Sequence, residues 1–481
     1  MQWNYIVGAV LIFEWILRFL MFFIVPKNRK PSSSTAWLML IMIEPIIGSI
    51  IFYVFGSPSL PRHRRDYYKK ANEFIKKEMH GLQEVYANAE VKDEEITSTE
   101  EKFVKLNRNL GGFPIYNGNK VKFYDDYNET IKILIKDIDS AKERILFEYF
   151  IMALDSTSEP IFEALERAHN RGVKVYVLFD ALACRVYPNY KKMKKRLSDS
   201  GIAWRAMLPL YVVPGKKFTR PDLRNHRKIV VIDGKIGYTG SQNIIQKNYH
   251  RKDELYYEEL VARIEGPTVW QLSAVFRSDW YSETQEFIPA LSLPIAVGSA
   301  KAQVLPSGPS YVESSNLKLY TALMHGAHKK IVIITPYFVP DDAIMTALTS
   351  AAQRGVEVTM INSEIIDKVF VGHAQRSYYE ELLRAGVNIL LYKKPVFLHT
   401  KHLSVDDSIA VIGSSNLDMR SFELDLEVSM VLYDKQSVQK LRKIEERIIN
   451  GSKKVSYNAW QKRSIKHQLL DNLARLTASL Q

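Results

Sequence analysis

The stretch His226-Arg-Lys-Ile-Val-Val-Ile-Asp-Gly234, followed by Gly240-Ser241-Gln-Asn243, decides how this 481-residue chain is read, because it occurs twice. His399-Thr-Lys-His-Leu-Ser-Val-Asp-Asp407, followed by Gly413-Ser414-Ser-Asn416, repeats its His, Lys, Asp, Gly, Ser and Asn at the same offsets. One His-x-Lys pair is ordinarily a solvated surface feature. Two copies in register over six positions specify one site assembled from two homologous halves.

Each copy reads as a strand closed by a tight turn, Asp233-Gly234 in the first and Asp406-Asp407-Ser408 in the second. Side chains two apart on a strand share a face, so His226 and Lys228 point together, as do His399 and Lys401. The return strand brings Ser241 and Asn243, or Ser414 and Asn416, back beside the histidine. Upstream, Ile145-Leu-Phe-Glu-Tyr and Val173-Lys-Val-Tyr-Val flank an expected helix over 159–170. In the second half Ile331-Val-Ile-Ile and Val356-Glu-Val-Thr-Met flank one over 341–353. Strands alternating with helices predict an α/β fold with βαβ units around a largely parallel sheet. The halves meet near Glu286 to Ser299.

An imidazole, an ammonium, a hydroxyl and a carboxamide from each half suit a phosphodiester. One histidine can attack phosphorus while the other protonates the departing alkoxide. Lys228, Lys401, Ser241, Asn243, Ser414 and Asn416 are the expected phosphate-binding donors, each well-placed one worth about 3–4 kcal/mol in the transition state. Glycines 240 and 413 leave room for a ligand. Asp233 and Asp406 open turns, and two roles stay open for them: holding the fold or direct electrostatic work. Each imidazole also needs a carboxylate on its far nitrogen. Glu427 is the candidate in the second half and Glu259 in the first, with Glu254 its rival at the matching offset. The carboxylates are too few and scattered for a metal site, so the expected chemistry needs no metal and no cofactor. The lone Cys184 excludes a disulfide framework and is expected to be a small buried filler.

A net charge of +13 points to a polyanionic partner, nucleic acid or an acidic membrane. The N-terminus separates these. Residues 3–25 and 35–55 are both apolar and near spanning length, which predicts a two-helix transmembrane hairpin over residues 1–57. Glu14 and Arg18 sit four apart, able to neutralise each other, and Glu44-Pro45 predicts a kink in the second span. Basic residues Arg62 to Lys77 outnumber Lys27, Arg29 and Lys30 in the connector, which predicts a cytoplasmic body on an anionic bilayer. A basic juxtamembrane helix and a linker ending in Glu90, Asp93, Glu94 and Glu95 are expected over 58–100. From Tyr457 the chain is amphipathic and basic, and packing on the core is favoured over lying on the bilayer. The basic stretches lack the dense aromatic array of a nucleic-acid surface, so no nucleic-acid partner is expected.

The paired motif, His-x-Lys-x4-Asp-x6-Gly-Ser-x-Asn, resembles the HKD signature of the phospholipase D superfamily, and both copies match in full. Arg224-Asn-His-Arg-Lys228, Thr335-Pro-Tyr-Phe-Val-Pro-Asp341, Asn416-Leu-Asp-Met-Arg-Ser-Phe422 and the apolar N-terminus extend the resemblance to bacterial cardiolipin synthases over essentially the whole chain. Asp425-Leu426 departs from the Asn-Phe usual there. The resemblance implies two phospholipase D-like α/β/α sandwich halves, 101–288 and 289–481, behind a membrane hairpin. It further implies a multi-pass membrane enzyme that joins two phosphatidylglycerols into cardiolipin and glycerol. His226 would be the nucleophile and His399 the general acid. A phospholipid-hydrolysing phospholipase D, or a synthase using phosphatidylethanolamine, shares the motif; a nuclease is more distant. Oligomeric state is not encoded in these patterns.

Overall fold

The β-branched runs of both motifs form central strands of one sheet in the computed structural model, which describes residues 2–27, 29–56, 59–81, 96–210, 219–250, 254–311, 314–476 and 478. In the first half the strands lie in the order Tyr116–Tyr124, Val261–Glu265, Ile236–Gly240, Ile229–Ile232, Arg144–Tyr149, Lys174–Asp180 and Ala203–Met207. The second half repeats that order with Ala300–Ser307, Glu427–Leu432, Ile409–Gly413, His402–Val405, Lys330–Ile334, Glu357–Ser363 and Asn388–Tyr392, then adds Ser452–Lys454 at the edge. The equivalent strands Tyr116–Tyr124 and Ala300–Ser307 pair antiparallel, so a 15-stranded sheet runs through both repeats. The result is a mixed α/β fold. The expectation of a largely parallel sheet is corrected: only the three βαβ strands of each half are parallel. The hairpins pair antiparallel because three-residue turns return each strand beside itself, and the strands at the junction also run antiparallel.

Alternating residues enter different cores, which is why these strands are apolar on both faces. Ile145, Phe147, Val175 and Val177 pack with Ile161, Leu165 and Met193 of the helices Glu159–Asn170 and Tyr190–Asp199. Leu146, Leu178, Ile229 and Val231 face the other way, onto Trp270, Phe276 and Trp280 of the helix Val269–Thr284. That second core continues into Ile412, Val428 and Met430, so apolar packing as well as the sheet joins the halves. Helix Arg62–Gly81 belongs to the body: Tyr68 donates to Asp279 at 2.6 Å, Arg64 pairs with Glu283, and Arg277 with Glu78. The acidic residues 90 and 93–95 lie outside the described residues.

The N-terminus departs from the expected hairpin of two spans. Helix Gln2–Ile24 is long and apolar, but the second stretch breaks at Glu44-Pro45 into Pro31–Ile43 and Pro45–Phe55. These fold back on each other. A Cβ on Gly48 would meet the Ile41 Cα at 3.0 Å, and Arg29, before the first short helix, donates to the Gly56 carbonyl after the second. Arg18 reaches the turn between them, donating to Met42 O at 3.2 Å while pairing with Glu14 at 3.4 Å. Lys30 in the connector bonds Asp341 and Glu423 of the second half, both at 2.6 Å. Two full spans would hold that connector about 30 Å from the body. Here it touches the body, and the second apolar stretch is two short helices of 13 and 11 residues.

Candidate active site

Each histidine is placed by a strand segment that crosses to the other half. Val396–Leu398 runs parallel to Tyr256–Glu258, and the amide of His399 donates to Glu258 O at 2.8 Å. Asn225 bridges Leu426 in the same sense, and the amide of His226 donates to Leu426 O at 2.9 Å. The next residue along each partner segment is a glutamate. His226 Nδ1 therefore meets the Glu427 carboxylate at 2.9 and 3.1 Å, and His399 Nδ1 meets Glu259 at 2.8 and 2.9 Å. Both glutamates singled out in the sequence are engaged, each with the histidine of the opposite half. Glu254 is exposed on a turn, two residues before Tyr256.

With Nδ1 held by a carboxylate, each ring keeps Nε2 for chemistry. Lys228 and Lys401 donate to the carbonyls of His226 and His399 at 2.7 and 2.8 Å, which curls each ammonium back toward its own histidine. Burial pulls Lys228 down to about 8 and Lys401 down to about 7. Burial first, then Lys228, Lys401 and His399, hold His226 well below its ordinary value. Burial also lowers His399, to about 4, against the pull of Glu259 in the other direction. The glutamates diverge. Burial raises Glu427 despite Lys228, whereas His399 and Lys401 outweigh burial and hold Glu259 below its usual range. An arriving phosphodiester anion would favour the charged forms of all four cations.

Several sequence expectations are corrected by position. Asp233 and Asp406 lie at the far ends of the hairpins. Asp233 accepts from the amides of Lys142, Glu143 and Arg144, each at 2.8 Å. Asp406 does the same for His328, Lys329 and Lys330, at 2.7 to 3.1 Å. Of the two roles left open, holding the fold is the one this geometry supports. Ser241 and Ser414 are buried and braced on the glutamate strands rather than free for a ligand. Leu260 N donates to Ser241 Oγ at 2.8 Å and Val428 N to Ser414 Oγ at 3.0 Å, while Ser414 donates to Glu427. Glycines 240 and 413 make space for that strand: a Cβ would come within 2.3 Å of Leu260 O or Val428 O. Asn243 Oδ1 accepts from Ile151 N at 3.3 Å, while Asn416 Oδ1 is buried with no partner among the described residues.

Other residues here escaped sequence reading. Phe150 lies edge-on to His226 at 4.7 Å, and Tyr257 to His399 at 5.3 Å. Tyr337 and Tyr257 donate to Asp367, beside Lys368. Arg227 is fully buried, bonded to Asp279 at 2.5 and 2.6 Å and to Glu427 O at 3.0 Å. None of them stands at a repeated offset that would have marked it. Cys184 is buried, and burial pushes its thiol up. Among the described residues no cluster of three or more His, Cys, Asp or Glu forms a candidate metal site.

A family model described as "Cardiolipin synthase, PLD-like domain" matches residues 134–280 and 320–449, one segment over each half of this site. The chain belongs to that family. Among its relatives, the cardiolipin synthase of Alkalihalophilus pseudofirmus is 31% identical over 493 aligned residues, covering 99% of this chain and 95% of the relative. Cardiolipin synthase A of Pectobacterium carotovorum is 30% identical, covering 98% and 97%. The crystal structure of Haemophilus influenzae phosphatidylserine synthase superposes with a TM-score of 0.57 at 16% identity, over 80% of this chain and 99% of that one. At that identity the likeness speaks for the fold alone.

Proposed function

We propose that this protein is a cardiolipin synthase: a phosphatidyltransferase of the phospholipase D superfamily that converts two phosphatidylglycerols into cardiolipin and glycerol. Its family membership supports the reaction class. The observation that carries the mechanism is the pair of buried imidazoles, each with Nδ1 on the other half's glutamate.

His226 Nε2 attacks the phosphorus of the first lipid, and the bond to its terminal glycerol breaks as His399 gives that glycerol a proton. The phosphatidyl group then resides on His226. His399 next takes the proton from the glycerol hydroxyl of the second lipid, whose oxygen attacks phosphorus and frees His226. Lys228, Lys401, Asn243 and Asn416 stabilise charge on the non-bridging oxygens. The N–H donors that each lysine ammonium keeps beyond its bond to the histidine carbonyl support that role. Burial and Lys228 hold His226 well below its ordinary value, whereas Glu259 pulls His399 upward against the burial that lowers it to about 4. This supports His226 as nucleophile and His399 as acid and base. Asp233 and Asp406 act through the fold, and Ser241 and Ser414 by holding the glutamate strands. The halves are taken as two α/β/α layers, 101–288 and 289–481, with helices on both faces of the sheet.

The enzyme is a membrane protein in this reading. Tyr5–Ile24 has 20 residues, about 30 Å of helix, enough for one crossing. The short helices Pro31–Ile43 and Pro45–Phe55 dip in and return, which replaces the multi-pass expectation with one crossing and a re-entrant hairpin. Lys27, Arg29 and Lys30 then lie on the same side as the basic helix Arg62–Gly81, and their combined charge favours a cytoplasmic body. The test is purified full-length protein incubated with phosphatidylglycerol alone. Cardiolipin and glycerol in equal amounts are expected; phosphatidic acid as the main product would make it a hydrolase. Single His226→Ala and His399→Ala variants should each abolish product, and substantial residual synthesis by either would remove that histidine from the mechanism.

A further inference from the structure

The C-terminal helix Ile465–Arg475 carries its polarity inside out. Its packed face holds Asp471, 1% exposed, and Ala474, 4% exposed. The Asp471 carboxylate meets His373 Nδ1 at 2.7 Å, Arg463 at 2.6 Å and Arg376 at 3.3 Å, so a buried polar cluster fixes the helix to its neighbour Val369–Ser377. The opposite face bears Ile465, Leu469, Leu473 and Leu476, all 57% exposed or more. At about 100° per residue these four fall in one stripe roughly 80° wide. Val369 and Phe370, which open the neighbouring helix, are each 71% exposed. The packing expected from the sequence is present, but it uses the wrong side for an aqueous helix.

Charge and position identify what covers this face. Lys368, Lys462 and Lys466 are exposed around it, matching an anionic headgroup layer. Lys368 lies close enough to His226 to lower its basicity and rests over the Tyr337 ring at 5.0 Å, so the apolar face begins at the rim of the active site. It is also tied to the N-terminal helices. Arg475 stacks on Tyr378 at 4.5 Å, Tyr378 packs edge-on against Phe338, and Asp341, three residues on from Phe338, holds Lys30.

We propose that the Ile465–Leu476 stripe, with Val369 and Phe370, inserts into an anionic bilayer and seats the mouth of the active site on the surface that holds its substrate. This rests on the reading of the protein as a lipid enzyme. A soluble phosphodiesterase would have no use for such a face.

The test uses full-length protein with Leu473→Cys carrying an environment-sensitive fluorophore; the buried Cys184 stays unlabelled. Reconstitution in phosphatidylglycerol vesicles should protect the probe from iodide and expose it to quenching by lipids brominated in the acyl chain. Unchanged iodide access would overturn the proposal. So would protection that appears without lipid and grows with protein concentration, the mark of a second copy of this chain on the face. In parallel, Leu469→Lys with Leu473→Lys should slow synthesis on phosphatidylglycerol vesicles by roughly ten-fold while leaving the rate in detergent mixed micelles unchanged. Equal rates in both formats, or loss in both, would also overturn it. Wild-type synthesis in micelles tests the catalytic reading separately, since failure of the docking face leaves it intact.

Discussion

The two halves carry the same six motif residues yet brace them differently. In the first half, the residue after His226 is Arg227, buried between Asp279 and the carbonyls of Glu427 and Ser307. Its counterpart in the second half is Thr400, and the buried carboxylate contact moves to His402, whose Nε2 meets Glu445 at 2.7 Å. Where the second half has that histidine, the first has Ile229. The spacing from histidine to glutamate differs as well, yet both glutamates reach a histidine because they are positioned by the opposite half's strand. The reacting groups are held in common while their supports have diverged. This is what a site shared across a pseudo-two-fold allows, since each half is constrained by what it presents to the other.

The largest effect should come from breaking the equivalence of the two histidines. With phosphatidylglycerol, His226→Asn and His399→Asn should each lose about 10⁴-fold or more in rate. With a nitrophenyl phosphodiester, whose leaving group needs no proton, His399→Asn should still release one equivalent of nitrophenol in a burst. His226→Asn should release none, and a burst from His226→Asn instead would reverse the roles. Next, Glu427→Gln and Glu259→Gln should each reduce kcat by about 10–100-fold. ¹⁵N spectra of the imidazoles should show Glu427→Gln perturbing His226 and Glu259→Gln perturbing His399. The opposite pattern would mean that each half serves itself.

Smaller effects probe the supports. Asp233→Asn or Asp406→Asn should cost about 1–3 kcal/mol of stability in denaturant melts, with kcat/KM within a few-fold of wild type. A selective loss of kcat would return these carboxylates to the chemistry. The His402–Glu445 pair adds an acid sensitivity confined to the second half. His402, Arg442 and Ser404 hold the buried Glu445 down at about 2, against an ordinary 4.5. A depressed carboxylate contributes stability that is whole above about pH 4.5 and fades as pH falls toward 2. Glu445→Gln should flatten the acid unfolding curve in that window, by about 3 kcal/mol. An unchanged curve would leave the pair without a stabilising role.

Much of the candidate site was legible because repetition marks it. His226, Lys228, His399, Lys401, Glu259 and Glu427 all stand where one buried cluster needs them. The exchange of glutamates between halves was not legible, since an offset along the chain carries no information about which half a strand faces. Ser241, Ser414 and the two glycines were read as ligand-facing because their spacing is right for it. The close passage of the glutamate strand, which claims them, is a tertiary fact. Asp233 and Asp406 share the motif's spacing but sit a full strand away from the histidines. In the N-terminus, Glu44-Pro45 did signal a break. Hydropathy alone does not tell a kinked span from a chain that turns back, and the deciding contacts, Arg29 to Gly56 and Lys30 to Asp341, are long-range.

The most direct measurement is to trap the covalent intermediate on wild-type protein with labelled phosphatidylglycerol, digest it, and determine by mass spectrometry and ³¹P NMR which ring nitrogen carries phosphorus. A site in which Glu427 occupies Nδ1 from across the halves calls for label on Nε2 of His226 alone. Label on His399, on both histidines, or on Nδ1 would contradict it.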